Sequence, residues 1–450
     1  MKKTALILTF AITALTVVDT NAQEVKKWSL YDCIDYALKN NIQLQKNKIS
    51  EDVAETELKQ AKAALLPGVT GNMTQSLNYR PFQKSANNFV NGSMTSSTSN
   101  KTTQSGNYGI NASWTVWNGG INTNTVKSKQ KGVEIARLAS LEQANTIQEQ
   151  ITQLYIQILY SVDAVNVDKE ILKKDSLAYT RGLEMLNVGK MSRSDVKLLE
   201  AAVNESRYTV VNAQTQVNNY KLQLKQLLEL QPGEDMEISP LNSTGDVIAL
   251  PVPDKMSVYY EALSSRPEIL SSKYNIEASE LQLKIAKAGY MPQISLTGGI
   301  GDNHMTGTNE NFGSQMKYNL SGSVGLTLSI PILDNRQNKS AVEKAQYNRA
   351  TASLDLSEKQ KELYSTIETY WLNATNNQQR YIAAKSNVDS RRDSYDLISE
   401  QFRLGLKNIV ELTTGRSSLL QAMQDMLESK YTALLNIQLL KFYSGEEIKL

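Results

Sequence analysis

The stretch YNLSGSVGLTLSIPI, Tyr318 to Ile332, changes character at nearly every step. Tyr318, Leu320, Val324, Leu326, Leu328, Ile330 and Ile332 alternate with Asn319, Ser321, Ser323, Gly325, Thr327 and Ser329. Strict period two belongs to a strand with one apolar and one polar face. Three more stretches share it. Val69, Met73, Leu77 and Tyr79 mark GVTGNMTQSLNY; Tyr108, Ile110, Ala112, Trp114 and Val116 mark NYGINASWTVWN; Ile294, Leu296 and Ile300 mark QISLTGGI. Their polar faces are Asn, Ser, Thr and Gly with hardly a charge, which suits a water-filled lumen. Each is near the length a tilted strand needs to cross a bilayer. Trp114, Trp117, Tyr79, Tyr108 and Tyr318 sit toward strand ends, where an aromatic girdle would place them. Residues 80–106 and 302–317 read as the loops of two hairpins, at 68–118 and 292–332.

Between the hairpins the period becomes seven. Ile367, Ala374, Tyr381, Val388, Tyr395 and Phe402 form one seam, with Leu363, Tyr370, Ala384 and Ile398 in the matching d-type places and Asn377 and Arg391 as exceptions. This is a coiled-coil pattern. Ile151, Ile158, Val165, Leu172, Tyr179 and Leu186 repeat it 216 residues earlier. Val196, Val203, Val210, Val217 and Leu224 precede Leu412, Leu419, Met426, Ala433 and Leu440 by the same interval. Further back the offset is 225, where KAALLPGV (Lys62 to Val69) answers KAGYMPQI (Lys287 to Ile294). The chain therefore reads as a tandem duplication of helix, hairpin, long helix, tight turn and helix. The first repeat spans 23–230 with its turn at 187–195. A proline-rich linker, with room for a short strand, follows at 231–255. The second repeat spans 256–450 with its turn at 403–411. The first helix is expected from Ser29 to Leu66.

Residues 1–22 carry Lys2 and Lys3, an apolar run from Ala5 to Val18 and a small-residue end at Thr20-Asn21-Ala22, the pattern of a secretory signal peptide. Beyond it no apolar run reaches the length of a membrane-spanning helix. Lys and Arg number 48 against 46 Asp and Glu. Without Lys2, Lys3 and Asp19 the net charge is about +1, which makes no case for nucleic acid. Cys33 is the only cysteine, excludes an intrachain disulfide and reads as a buried helix residue rather than a lipidation site. His304, the only histidine, reads as a solvated loop residue, so no Ser/His/Asp set can form and no enzyme, cofactor or metal site is expected. Gly298-Gly299-Ile300-Gly301 lacks the spacing of a phosphate loop.

Four strands cannot close a barrel, and open edges are costly in lipid. Copies must combine; three give twelve strands, wide enough for a channel, with a hollow cylinder of helices below. An exported trimeric coiled-coil fibre or adhesin would explain the heptads but not two amphipathic hairpins set symmetrically between helices.

LLPGV and YMPQI at the strand starts, VWNGG and PILDNR at the strand-to-helix joins, SSRPEI at 264–269 and the two turns, in this duplicated order, resemble the TolC family of outer-membrane efflux proteins. The resemblance covers nearly the whole mature chain. It implies a mixed α and β homotrimeric channel-tunnel in the outer membrane. This would dock an inner-membrane transporter through a periplasmic adaptor, in efflux or type I secretion. It implies that Gly189, Lys190, Met191, Ser192, Gly405, Leu406 and Asn408 belong to the periplasmic docking tips. Glu411 falls on an acidic position of the tunnel's narrowest point, with Lys407 one turn earlier and Asp195 in the matching region of the first repeat. A second acidic position of the family is Thr414 here, a departure from the pattern.

Overall fold

The computed structural model describes residues 27–448 apart from 83–85, 91–92, 98–100, 241–250 and 307–309. The signal peptide assigned to 1–22 lies outside the described residues. Two helices of 67 residues dominate, α3 (Ile121–Asn187) and α8 (Gln337–Arg403). At 1.5 Å per residue each runs about 100 Å. Each turns back into a helix of 35 residues, α4 (Arg193–Leu227) or α9 (Ile409–Tyr443). The other half of each long helix is flanked by α2 (Ile42–Ala63) and α6 (Pro267–Ala288), preceded by α1 (Leu30–Asn40) and α5 (Lys255–Ser265).

The duplication holds to the residue. Helices α8 and α9 lie 216 positions after α3 and α4, and α5 and α6 lie 225 after α1 and α2, with equal lengths. Left-handed backbone recurs at the 216-residue offset: Gly119 and Gly120 against Asn335 and Arg336, Gly189 against Gly405, Glu229 against Gly445. The heptad positions pack as their pattern requires. Ile151, Ile158, Ile367, Ala374, Leu419, Ala433 and Leu440 are all essentially inaccessible.

The expected single helix from Ser29 to Leu66 is broken. Asn41 is extended (φ −63°, ψ 126°), and its side chain accepts the N–H groups of Gln43 and Leu44 at 2.9 and 3.3 Å. An Asn side chain that caps the next turn competes with continuation of the previous one. In the second copy Arg266 stands at the break and Pro267 opens the new helix. Cys33 is fully buried in α1, as expected. The linker holds a two-residue strand, β6 (Glu237–Ile238), parallel to β1 (Lys27–Trp28). The Tyr155 hydroxyl of α3 lies 2.9 Å from the Ser239 carbonyl and 3.2 Å from that of Trp28, which ties this pair to the long helix.

One antiparallel sheet carries the strands in the order β2 (Gly68–Tyr79), β5 (Thr102–Trp117), β7 (Gln293–Met305), β8 (Ser321–Ser329). Three boundaries differ from the sequence reading. The segment 80–106 contains a small hairpin, β3 (Ala86–Val90) with β4 (Ser93–Ser97), and the start of β5. The segment 302–317 is no simple loop, because β7 continues to Met305 and a short helix α7 (Phe312–Tyr318) follows. Tyr318 therefore closes α7 and is not the first residue of β8. Gln315 of α7 explains this: its Oε1 accepts from Met305 N–H at 2.8 Å and its Nε2 donates to Met305 C=O at 3.1 Å. That amide takes the place of a β8 residue on the end of β7.

Candidate functional site

Register places the apolar residues in continuous rows. Val69, Ala112, Gly298 and Val324 share one; Trp114, Leu296 and Leu326 another; Ile110, Ile300 and Gly322 a third. A register shift between Thr115 and Trp117 brings Trp117 opposite Ile294, so Trp117 joins this face although the simple alternation excludes it. Among the described residues the face touches no core: every residue of β8 is exposed, and Val324 is 83% accessible. The opposite face, with Thr70, Asn72, Asn111, Thr297 and Ser323, carries no ionisable group. Among the described residues, the outer edges of β2 and β8 have no strand partner.

His304 corrects the sequence reading. It lies in β7 and is only 8% exposed. Its ring stacks on Tyr108 at 5.8 Å between centroids and meets Phe312 edge-on at 4.9 Å. Gly106 opposite makes the room, since a Cβ there would fall 2.5 Å from the imidazole. Aromatic neighbours from two other segments, β5 and α7, bury what a linear reading leaves in a loop.

The two turns are superimposable in their hydrogen bonds. Gly189 N–H donates to Leu186 C=O at 2.9 Å and Lys190 N–H to Met185 C=O at 2.8 Å; Gly405 and Leu406 do the same toward Phe402 and Gln401 at 3.0 and 2.9 Å. This pair of bonds requires a left-handed residue, and both glycines have φ of 75°. Ser192 caps α4 by accepting the Asp195 N–H at 3.0 Å. Lys190, Ser192, Leu406 and Asn408 are exposed, whereas Met191 is half-buried against the core beside Gly182.

Glu411 is well accounted for by its own chain. Asn408 accepts its N–H at 2.9 Å, and its carboxylate accepts the Asn408 N–H at 3.1 Å, a reciprocal cap. Its other oxygen accepts from Lys407 Nζ. Lys407 first, then the Asn408 N–H, hold the Glu411 carboxyl below the usual range. The structure thus joins Lys407, Asn408 and Glu411; among the described residues nothing joins Asp195 to them.

Two ionic clusters escaped the sequence reading. Near the turns, Arg416 of α9 pairs with Asp175 of α3 at 2.7 Å, and the Ser206 hydroxyl of α4 donates to the same carboxylate. At the break before α6, buried Arg266 meets Glu149 at 3.1 Å and Glu268 at 2.9 Å and lies 4.0 Å from the Tyr443 ring. Glu142, Glu362 and Lys359 share that 190 Å³ cavity. The one available signal was Arg266 in place of Asn41 between otherwise matching helices.

The comparisons agree with this geometry. Residues 33–229 and 258–446 match the family described as Outer membrane efflux protein. The chain is 24% identical over 405 residues to Outer membrane protein TolC of Escherichia coli, covering 88% of this chain and 78% of that protein. It is 20% identical over 322 residues to Alkaline protease secretion protein AprF of Pseudomonas aeruginosa, covering 70% and 65%. The fold superposes on CusC with a TM-score of 0.79 at 16% identity, over 93% of this chain and 92% of that one. Superposition on VceC of Vibrio cholerae gives 0.77 at 15% identity, over 93% and 97%. With nearly the whole duplicated core matched, the chain belongs to the outer membrane efflux protein family, as an outer-membrane channel component rather than a member of an enzyme family.

Proposed function

We propose that three copies close head to tail into a twelve-stranded barrel whose apolar face meets outer-membrane lipid, above a tunnel of helices. The observation that carries this is a pair of matching open edges. The strand order β2, β5, β7, β8 is also the helix order: α2 adjoins β2, α3 follows β5, α6 precedes β7 and α8 follows β8. Within the chain α2 and α4 pack on α3, and α6 and α9 lie between α3 and α8. The sheet thus ends at β2 and β8 where the wall ends at α2 with α4 and at α8. Those flanks carry exposed Ile49, Val53, Tyr208 and Val211 on one side and Tyr347, Leu354, Ile382 and Leu397 on the other. In an all-antiparallel sheet with an even strand count, β8 meets the next copy's β2 antiparallel, so the ring closes without a defect. Lipid then covers Val324 and its row. Light scattering in mild detergent should give the mass of three chains; a monomeric mass overturns the closure.

The conduit passes substrate handed on by an inner-membrane transporter through a periplasmic adaptor, with no role for nucleic acid or a cofactor. The exposed turns at Gly189 and Gly405 are the surface offered to that adaptor. TolC and AprF, named for the outer membrane and for protease secretion, support efflux or secretion as the task. Three Glu411 carboxylates around the axis form a cation-attracting constriction, tempered by Lys407. Replacing Gly405 by valine strains the turn and should leave trimers that fail to restore drug resistance; full resistance removes the docking role.

A further inference from the structure

The groove between α3 and α4 is lined by an unusual set of side chains. Gln150, Gln153 and Gln157 come from α3, and Tyr220, Gln223 and Gln226 from α4, around a volume of about 570 Å³. This is the size range of small-molecule sites. None of the five amides, nor the Tyr220 hydroxyl, hydrogen-bonds to another described residue. Each amide therefore keeps two donors and an acceptor free. Leu154 and Leu227 complete the lining, and among the described residues no charged side chain enters it.

The position of the groove is equally specific. Tyr155 directs its hydroxyl to β1 and the segment after β6. Gln153 and Gln157 stand two residues either side of it, about 160° round the helix. The groove thus opens on the bare face of the wall, opposite the one clothed by α1 and β1. Under the conduit reading proposed above, on which this inference rests, the bare face lines the tunnel.

The second repeat provides an internal control. Its matching positions are Thr366, Thr369, Asn373, Asn436, Leu439 and Phe442. Leu439 is 1% exposed and Phe442 packs on the core. The architecture therefore folds without five glutamines, and the amide groove is a property of one repeat alone.

We propose that this groove is a binding station for neutral, polyhydroxylated ligand, the saccharide units of a passing substrate. Amides satisfy vicinal hydroxyls as both donors and acceptors, the two leucines accept the C–H face of a sugar ring, and a charged ligand finds no counter-charge. The test uses the full-length protein in detergent and maltohexaose as probe, with binding followed by calorimetry and current by planar-bilayer recording. Wild type should bind the sugar, and Gln153→Leu/Gln223→Leu should weaken binding about tenfold with an unchanged melting temperature. In the bilayer, the sugar should cause transient blockades that shorten in the double variant while open conductance stays the same. No binding by wild type, or equal binding by the variant, overturns the groove assignment. Binding lost in the variant from a protein that passes no current supports the groove and overturns the conduit.

Discussion

The contact that joins three helices near the turns is open to a quantitative test. Asp175 is 6% and Arg416 13% exposed in the side chain. Arg416→Met leaves the Asp175 carboxylate desolvated with only the Ser206 hydroxyl beside it. Removing one partner of a buried ion pair costs about 3–5 kcal/mol, because the other charge stays buried. Since α3, α4 and α9 meet there, the loss should appear as local opening rather than as global unfolding. Hydrogen exchange followed by peptide mass spectrometry should show protection of 170–180, 202–210 and 412–420 falling by roughly two to three and a half powers of ten. Peptides of the sheet should be unchanged. Adding Asp175→Asn removes the stranded charge, so the double variant should recover to within about 1–2 kcal/mol of wild type. Unchanged protection in Arg416→Met, or additive losses in the double variant, would refute a coupled buried pair.

Burial holds the Glu149 carboxyl above the usual range, although Arg266 pulls it down; burial and then the Glu268 charge do the same for Glu142. Such groups stabilise the fold fully below the unfolded carboxylate value of about 4.3, and that contribution is lost as pH rises through the raised folded value. Wild type should therefore gain melting temperature from about pH 7.5 down to about pH 5 more steeply than Glu149→Gln; parallel slopes contradict this. Glu229 holds a left-handed φ of 56° where the second repeat has Gly445. Glu229→Gly should gain about 0.5–1 kcal/mol in thermal unfolding, and a loss would mean that its side chain matters more than the strain. Glu411→Ala should lower cation selectivity and weaken block by multivalent cations with trimers intact. Unaltered selectivity and block assign Glu411 to helix capping alone.

Much of this architecture is legible in one dimension because it rests on short periods. Val324, Leu326 and Leu328 need only period two, and Ile367 through Phe402 only period seven. The duplication lets each copy check the other, down to Gly189 and Gly405. What stays hidden depends on partners far along the chain. His304 is buried by Tyr108, which lies 196 residues away. Arg416 reaches Asp175 across 241 residues, and neither residue breaks a local rule. The break at Asn41 turns on whether one amide caps forward or lets the helix continue, a balance of about 1 kcal/mol. Helix α7 forms because a single glutamine substitutes for a strand neighbour, and no periodicity announces that.

The central claim is that copies of this chain close their open sheet edges into a membrane pore. Purified full-length protein added to a planar bilayer tests it most directly. Discrete, uniform conductance steps, carried by a species with the mass of three chains, are the expected result. A protein that inserts no steps at any voltage and sediments as a single chain would contradict it.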